Sequence, residues 1–222
     1  MNAKKIGIKA FVLILALVLL IGCVAGGTVA YLMTKSDTVT NTFVAGNIGT
    51  LKLTETPADS FIVVPGHNIA KDPTVTFSGN NVDAYVFLKV DAAGWTYAKV
   101  GDAHVYYMGD AYGVVGGKRV EAVIDSGWTY LGDNVFYRTV TANSTGNTFA
   151  VIENNTITVD STITQGNIQG FIDDYNEATE GSLTIETFST SLTFTAYAIQ
   201  MEGTAGNDFE PAEAWALLDE KY

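Results

Sequence analysis

Beyond residue 31 the chain keeps alternating apolar with polar residues in short runs that glycine, asparagine and aspartate cut apart. A period of two sends successive side chains to opposite faces of an extended backbone, so these runs form half-buried strands rather than amphipathic helices. Thr38 to Val44 is the first such run, and Gly46-Asn47 ends it. Ile48 to Thr54 follows, with Leu51 and Leu53 on one face. Thr74 to Phe77 and Ala84 to Val90, joined by Ser78-Gly79-Asn80-Asn81, read as the clearest β-hairpin of the chain. The second of these strands sets Tyr85, Phe87 and Lys89 opposite Val86, Leu88 and Val90.

Further strands are expected at Val105 to Met108, Gly127 to Leu131 and Val135 to Val140, the last two joined by a turn at Gly132-Asp133-Asn134. Phe149 to Ile152 and Thr156 to Val159 read as another hairpin around Asn154-Asn155. Leu183 to Thr187 and Ser191 to Gln200 complete the strands. Helix is confined to Gln169–Thr179, which Gly170 weakens, and to a terminal segment opened by Pro211 with Ala214, Trp215 and Leu218 at helical spacing. Many short strands with little helix between them specify an all-β chain, an antiparallel sandwich or jelly roll. Residues 31–222 read as one such domain.

The first thirty residues differ in kind. Lys4, Lys5 and Lys9 precede an unbroken apolar stretch from Phe11 to Ile21, followed by small residues, the pattern of a secretory signal peptide. Cleavage after Ala30 places Thr28 and Ala30 at the two small-residue positions and makes Tyr31 the new N-terminus. The uncharged run from Ala10 to Thr34 is also long enough for a retained transmembrane helix. Cys23, after Leu20-Ile21-Gly22, fits a lipobox whose cysteine is acylated; otherwise it leaves with the signal. In that case the exported chain has no disulfide, thiolate metal site or cysteine nucleophile.

The formal charge is −12, from 12 basic and 24 acidic residues; without the leader's three lysines the rest carries about −15. Such a chain is not drawn to nucleic acid or to an anionic membrane by charge. No run of acids has calcium-loop spacing.

Catalytic patterns are missing. His67 follows a Pro-Gly turn and reads as a solvated turn residue, while His104 reads as a strand residue. Neither has the partners of a zinc-protease helix. Asp102 with Asp110, and Asp173-Asp174, are the nearest carboxylate pairs, and both read as solvated loop acids. No Gly-x-Ser-x-Gly elbow occurs, and Gly113-Val114-Val115-Gly116-Gly117-Lys118 lacks the spacing of a phosphate loop. Tryptophans and tyrosines crowd residues 92–147, where Trp95 and Trp128 are the candidate platforms for a glycan or other ligand. No catalytic residue, metal or cofactor is expected.

Gly26 to Thr34, followed by Asn41 to Ile48, resembles the N-terminal signature of SipW-dependent exported proteins, the group that includes TasA-type biofilm fibre proteins and the camelysins. Pro65-Gly66 with Lys71 to Val75 and Asn81 to Val86 is similar to the first core hairpin of that family. Thr195 to Gln200 and Ala212 to Trp215 resemble its closing strand and tail. Residues 92–147 then look like a variable insertion. The resemblance implies a jelly-roll-like sandwich, export to the cell surface or matrix, and removal of residues 1–30 by a dedicated signal peptidase.

It also implies a non-enzymatic fibre subunit whose partners are copies of itself or related matrix proteins, with the membrane touched only through the N-terminal segment. Fibre formers of the group pass their new N-terminal segment to the next subunit as a strand. Here that donor is Tyr31 to Val44, with Val39, Asn41 and Phe43 as its candidate contacts. Pairing of the same segment within its own domain is the competing expectation. Two other functions stay open: a glycan- or ligand-binding module held at the envelope, and a camelysin-like metallopeptidase, for which the two histidines offer no motif.

Overall fold

A computed structural model describes residues 33–35, 43–44, 48–56, 63–203 and 207–219. The chain divides at residue 31, and all described residues belong to the unit that follows. The signal or transmembrane helix expected over residues 1–30, with Cys23, Thr28 and Ala30, and the new terminus Tyr31 lie outside them.

Three antiparallel sheets and two helices make up the described fold. Sheet A comprises β1 (Met33–Lys35), β14 (Thr193–Gln200), β6 (Ala84–Asp91), β11 (Val135–Val140) and β10 (Thr129–Gly132), in that order. Sheet B runs β12 (Thr148–Ala150), β5 (Thr74–Ser78), β3 (Thr50–Thr54) and β2 (Phe43–Val44). Sheet C runs β4 (Ile69–Ala70), β13 (Thr156–Val159), β9 (Arg119–Val123), β8 (Ala103–Gly109) and β7 (Thr96–Val100). Helix α1 is Gln165–Thr179 and α2 is Pro211–Asp219. Sheets B and C meet at an isolated bridge between Ile124 and Ile152.

One hydrophobic core joins the three sheets. Val86, Leu88, Phe136, Phe194 and Ala196 of sheet A share it with Leu51, Leu53, Val75 and Phe77 of sheet B and with Val120, Ala122, Ile157 and Val159 of sheet C. Strand alternation explains the split, because β3 and β5 bury every second residue and leave the others to solvent. The all-β sandwich expected from the sequence is the fold observed.

Central strand β6 departs from simple alternation. Both Tyr85 and Phe87 on its outer face are buried, as are Val86 and Leu88 on its inner face. The outer cover is α2, whose Trp215 ring stands 5.4 Å from that of Phe87 and 5.3 Å from that of Tyr197.

Three local expectations are corrected. Thr74–Ser78 and Ala84–Asp91 are not a hairpin: β5 pairs with β3 and β12, whereas β6 pairs with β14 and β11. The loop between them crosses from sheet B to sheet A and is held by the buried Asn80. Its Nδ2 donates to Val82 O at 3.1 Å and to Thr141 O at 3.0 Å.

Nor do residues 149–152 and 156–159 pair with each other. A 3-10 turn at Glu153–Asn155, with Asn154 and Asn155 both at positive φ, carries the chain from sheet B to sheet C. Leu183 to Thr187 forms a turn instead of a strand. Asn176 of α1 takes the backbone of Leu183 both ways, donating to its carbonyl at 2.8 Å and accepting from its amide at 2.9 Å.

Helix α1 begins four residues ahead of its expected start because Thr164 and Asn167 form a reciprocal capping box. The turn between β10 and β11 is as expected, with Asp133 and Asn134 both left-handed, as a tight hairpin requires. Residues 92–147 supply β7 to β11, so this segment contributes two strands to sheet A and three to sheet C.

Candidate functional site

Sheet edges are the chemistry of an all-β surface, because an unpaired strand offers a row of backbone donors and acceptors. On one side of sheet A the edge is β1, whose residues Met33, Thr34 and Lys35 pair with Ile199, Ala198 and Tyr197 of β14. On one side of sheet B the edge is β2, where Phe43 pairs with Leu51 and Val44 with Thr50 of β3. Two short pieces of the same N-terminal stretch thus cover two sheets. Of the expected donor contacts, Phe43 is placed, and it pairs within its own chain; Val39 and Asn41 lie outside the described residues.

The strands beneath these covers are built to be paired. β14 aligns with β6 over eight residues, from Thr193 opposite Asp91 to Gln200 opposite Ala84, and Ala198 and Ile199 are fully buried. Leu51 is equally buried under β2. At the loop that leads into β3, Gly49 lies at φ +112, and a Cβ there would come within 2.6 Å of the Ser78 carbonyl oxygen. Only glycine lets the two backbones approach so closely.

A second feature lies at the end of sheet A. A cavity of about 610 Å³ is lined by Trp95, Tyr97, Asp91, Asp133, Asn134 and Tyr197, among others. Trp95 is half-buried beside it. Trp128 is not a ligand platform: it is 3 % exposed, and its Nε1 donates to Ala150 O at 2.8 Å. The Arg138 guanidinium lies 5.0 Å from the Trp128 ring centre and 4.8 Å from that of Phe149, and pairs with Asp125. Trp128 therefore serves the core. Composition alone does not separate the two tryptophans, since only the strand pairing decides which one faces inwards.

The histidines stand where the sequence put them. His67 is exposed in its turn, bridged to Val64, and His104 is a residue of β8. His104 Nδ1 is 2.7 Å from the Tyr97 hydroxyl, and its ring packs 4.9 Å from Tyr130 and 5.4 Å from Phe136. Burial, and secondarily the charge of Lys99, lower its pKa below the usual imidazole range. Burial also raises the neighbouring Tyr97 to about 12.

Asp110 ties down a hairpin through the Lys118 amide, and Asp173 and Asp174 are exposed on α1. Among the described residues no group of three or more His, Cys, Asp or Glu is arranged to hold a metal ion, and no helix is long and apolar enough to cross a membrane. Asp91 and Asp133 beside Trp95 carry no sequence signature and emerge only from the folding of β6 onto β11. No family model, no curated protein and no solved structure matches the chain.

Proposed function

We propose that the chain is an exported, non-enzymatic structural subunit of an extracellular matrix or surface fibre, with a jelly-roll-like sandwich that assembles by β-strand addition. This follows the TasA- and camelysin-like resemblance of its N-terminal signature. One observation carries the reading: among the described residues, the N-terminal stretch covers sheets A and B through pairings of three and two residues.

Pairings so short hold a segment weakly, whereas β14 beneath one of them runs for eight residues and β3 beneath the other for five. The same bonds form equally well with a segment from a neighbouring copy, which is the economy of strand exchange between identical subunits. Removal of residues 1–30 frees that segment to leave its own domain. A net charge of about −15 on residues 31–222 keeps unassembled subunits apart.

The chain starting at Tyr31 should form filaments visible by electron microscopy. Deletion of residues 31–44 should leave a soluble monomer that a synthetic 31–44 peptide binds. Filaments that persist after the deletion would refute strand addition.

The cavity beside Trp95 supports a second reading, a glycan-binding module, since an aromatic ring flanked by carboxylates and an amide suits a pyranose. Saturable binding to a cell-wall glycan, lost in Trp95→Ala and unaffected by the 31–44 deletion, would favour it.

A further inference from the structure

The hairpin between β8 and β9 ends in Val114 and Val115, which are 54 % and 100 % exposed. Single exposed valines are ordinary, but the loop that carries this pair is unusually well braced. The Asp110 amide donates to Lys118 O at 3.0 Å, and the Lys118 amide donates back to Asp110 Oδ2 at 3.0 Å. Arg119 donates through Nε to Asp110 O at 2.6 Å and through Nη2 to Ala111 O at 3.1 Å. Its guanidinium stacks 4.1 Å from the centre of the Tyr112 ring, which meets Tyr107 edge-on at 4.9 Å. From α1, Asn167 Nδ2 donates to Asp110 Oδ1 at 3.1 Å. At the base, Gly109 has φ +109, and a Cβ would stand 2.4 Å from the Lys118 carbonyl oxygen. A loop fixed in this way loses little freedom on docking, so its two apolar side chains are preorganised for contact.

The same chain carries a matching hollow. A cavity of about 630 Å³ is lined by Ile69, Met108, Val120, Ile168, Phe188 and Leu192, with a rim of Ser189, Thr190 and Ser191. Met108 and Val120 pair next to Gly109 and Arg119, at the foot of the hairpin. Neither Val114 nor Val115 lines that hollow, and Val115 is fully open to solvent. The one charged residue of the lining, Lys71, is paired with Glu55 at 2.6 Å, which leaves the exposed Glu186, next to the cavity residue Ile185, to meet the Lys118 that flanks the tip.

We infer that the Val114-Val115 tip of one subunit docks into the apolar cavity beside Phe188 of a second copy of this chain. Because knob and hollow are different surfaces, the contact is head-to-tail and propagates unless a rotation closes it. One knob covers far less than a stable interface needs, so the contact is weak alone and is reinforced where strand addition already holds subunits together. Its strength in the fibre rests on the strand-addition reading; its existence does not.

The test uses the chain with Cys23→Ser. A Val115→Cys variant is mixed with a Ser189→Cys variant under mild oxidation. The mixed disulfide should exceed both the Val115→Cys homodimer and a pairing with an exposed Ser126→Cys control. Adding Val114→Asp to the tip should cut the mixed product on the order of ten-fold. Equal yields with the control, a tip-to-tip product alone, or no effect of Val114→Asp would overturn the contact. So would tip-dependent binding to phosphatidylcholine vesicles in place of the cross-link. When residues 31–44 are also deleted, filaments report on strand addition and the cross-link on the tip, so the two ideas fail separately.

Discussion

The indole of Trp215 lies 5.4 Å, centre to centre, from the ring of Phe87, and this pair closes the outer face of sheet A. Lys89 adds its ammonium 5.9 Å from the same indole, and the Tyr85 hydroxyl donates to Phe209 O at 3.0 Å, just before α2. Aromatic packing thus attaches the C-terminal helix to the central strand.

Trp215→Ala should cost about 2 kcal/mol, roughly half the loss for a fully buried tryptophan, because this one is partly exposed. Urea unfolding should show a lower midpoint with the slope nearly unchanged. A loss below about 0.5 kcal/mol, the range of surface substitutions, would show that α2 contributes nothing to sheet A.

Asn80 ties the sheet B to sheet A crossing to the strand end at Thr141. It is 2 % exposed, and its amide group serves two carbonyls. Asn80→Ala removes both bonds, although the Thr141 carbonyl keeps its donors from Ser144, and should cost about 1 kcal/mol for each bond lost. Asn80→Asp should be worse, because a buried carboxylate then faces two carbonyl oxygens. An Asp variant as stable as the Ala variant in thermal unfolding would contradict this geometry.

Stability should fall as the medium turns acidic, first through His104 and then through Asp110. His104 has a folded pKa below the ordinary 6.5, chiefly from burial, so the folded state prefers the neutral ring. Its contribution is complete above 6.5 and is lost as pH drops from there through the lowered value. Asp110 is also lowered, first by its bond from the Lys118 amide, and its contribution is lost only below the ordinary 3.8. Unfolding midpoints measured against pH should therefore lose the upper window in His104→Phe and keep the lower one. An unchanged upper window in that variant would assign it to other groups.

Arg138→Lys should destabilise despite keeping the charge. The planar guanidinium lies against both Trp128 and Phe149, and an ammonium cannot stack in that way. A loss of about 1 kcal/mol is expected, with a change in Trp128 fluorescence as the local readout. Unaltered fluorescence would argue against the stack.

The sequence by itself determined most of the segments that extend, Leu183 to Thr187 excepted, and in β3 and β5 which way their residues face. Alternation in β3 and β5, the left-handed turn at Asp133-Asn134 and the helix opened by Pro211 are all local consequences of side-chain spacing and backbone freedom. Only the tertiary structure decided which strand lies beside which. Thr74–Ser78 and Ala84–Asp91 adjoin in sequence yet belong to different sheets, and Asp91 reaches the rim of a cavity with Asp133 only through the pairing of β6 with β11. A period of two specifies a face and says nothing of a neighbour. Neighbours are chosen by packing across long separations, where the burial of Trp128 or the cover of Trp215 outweighs the nearest turn.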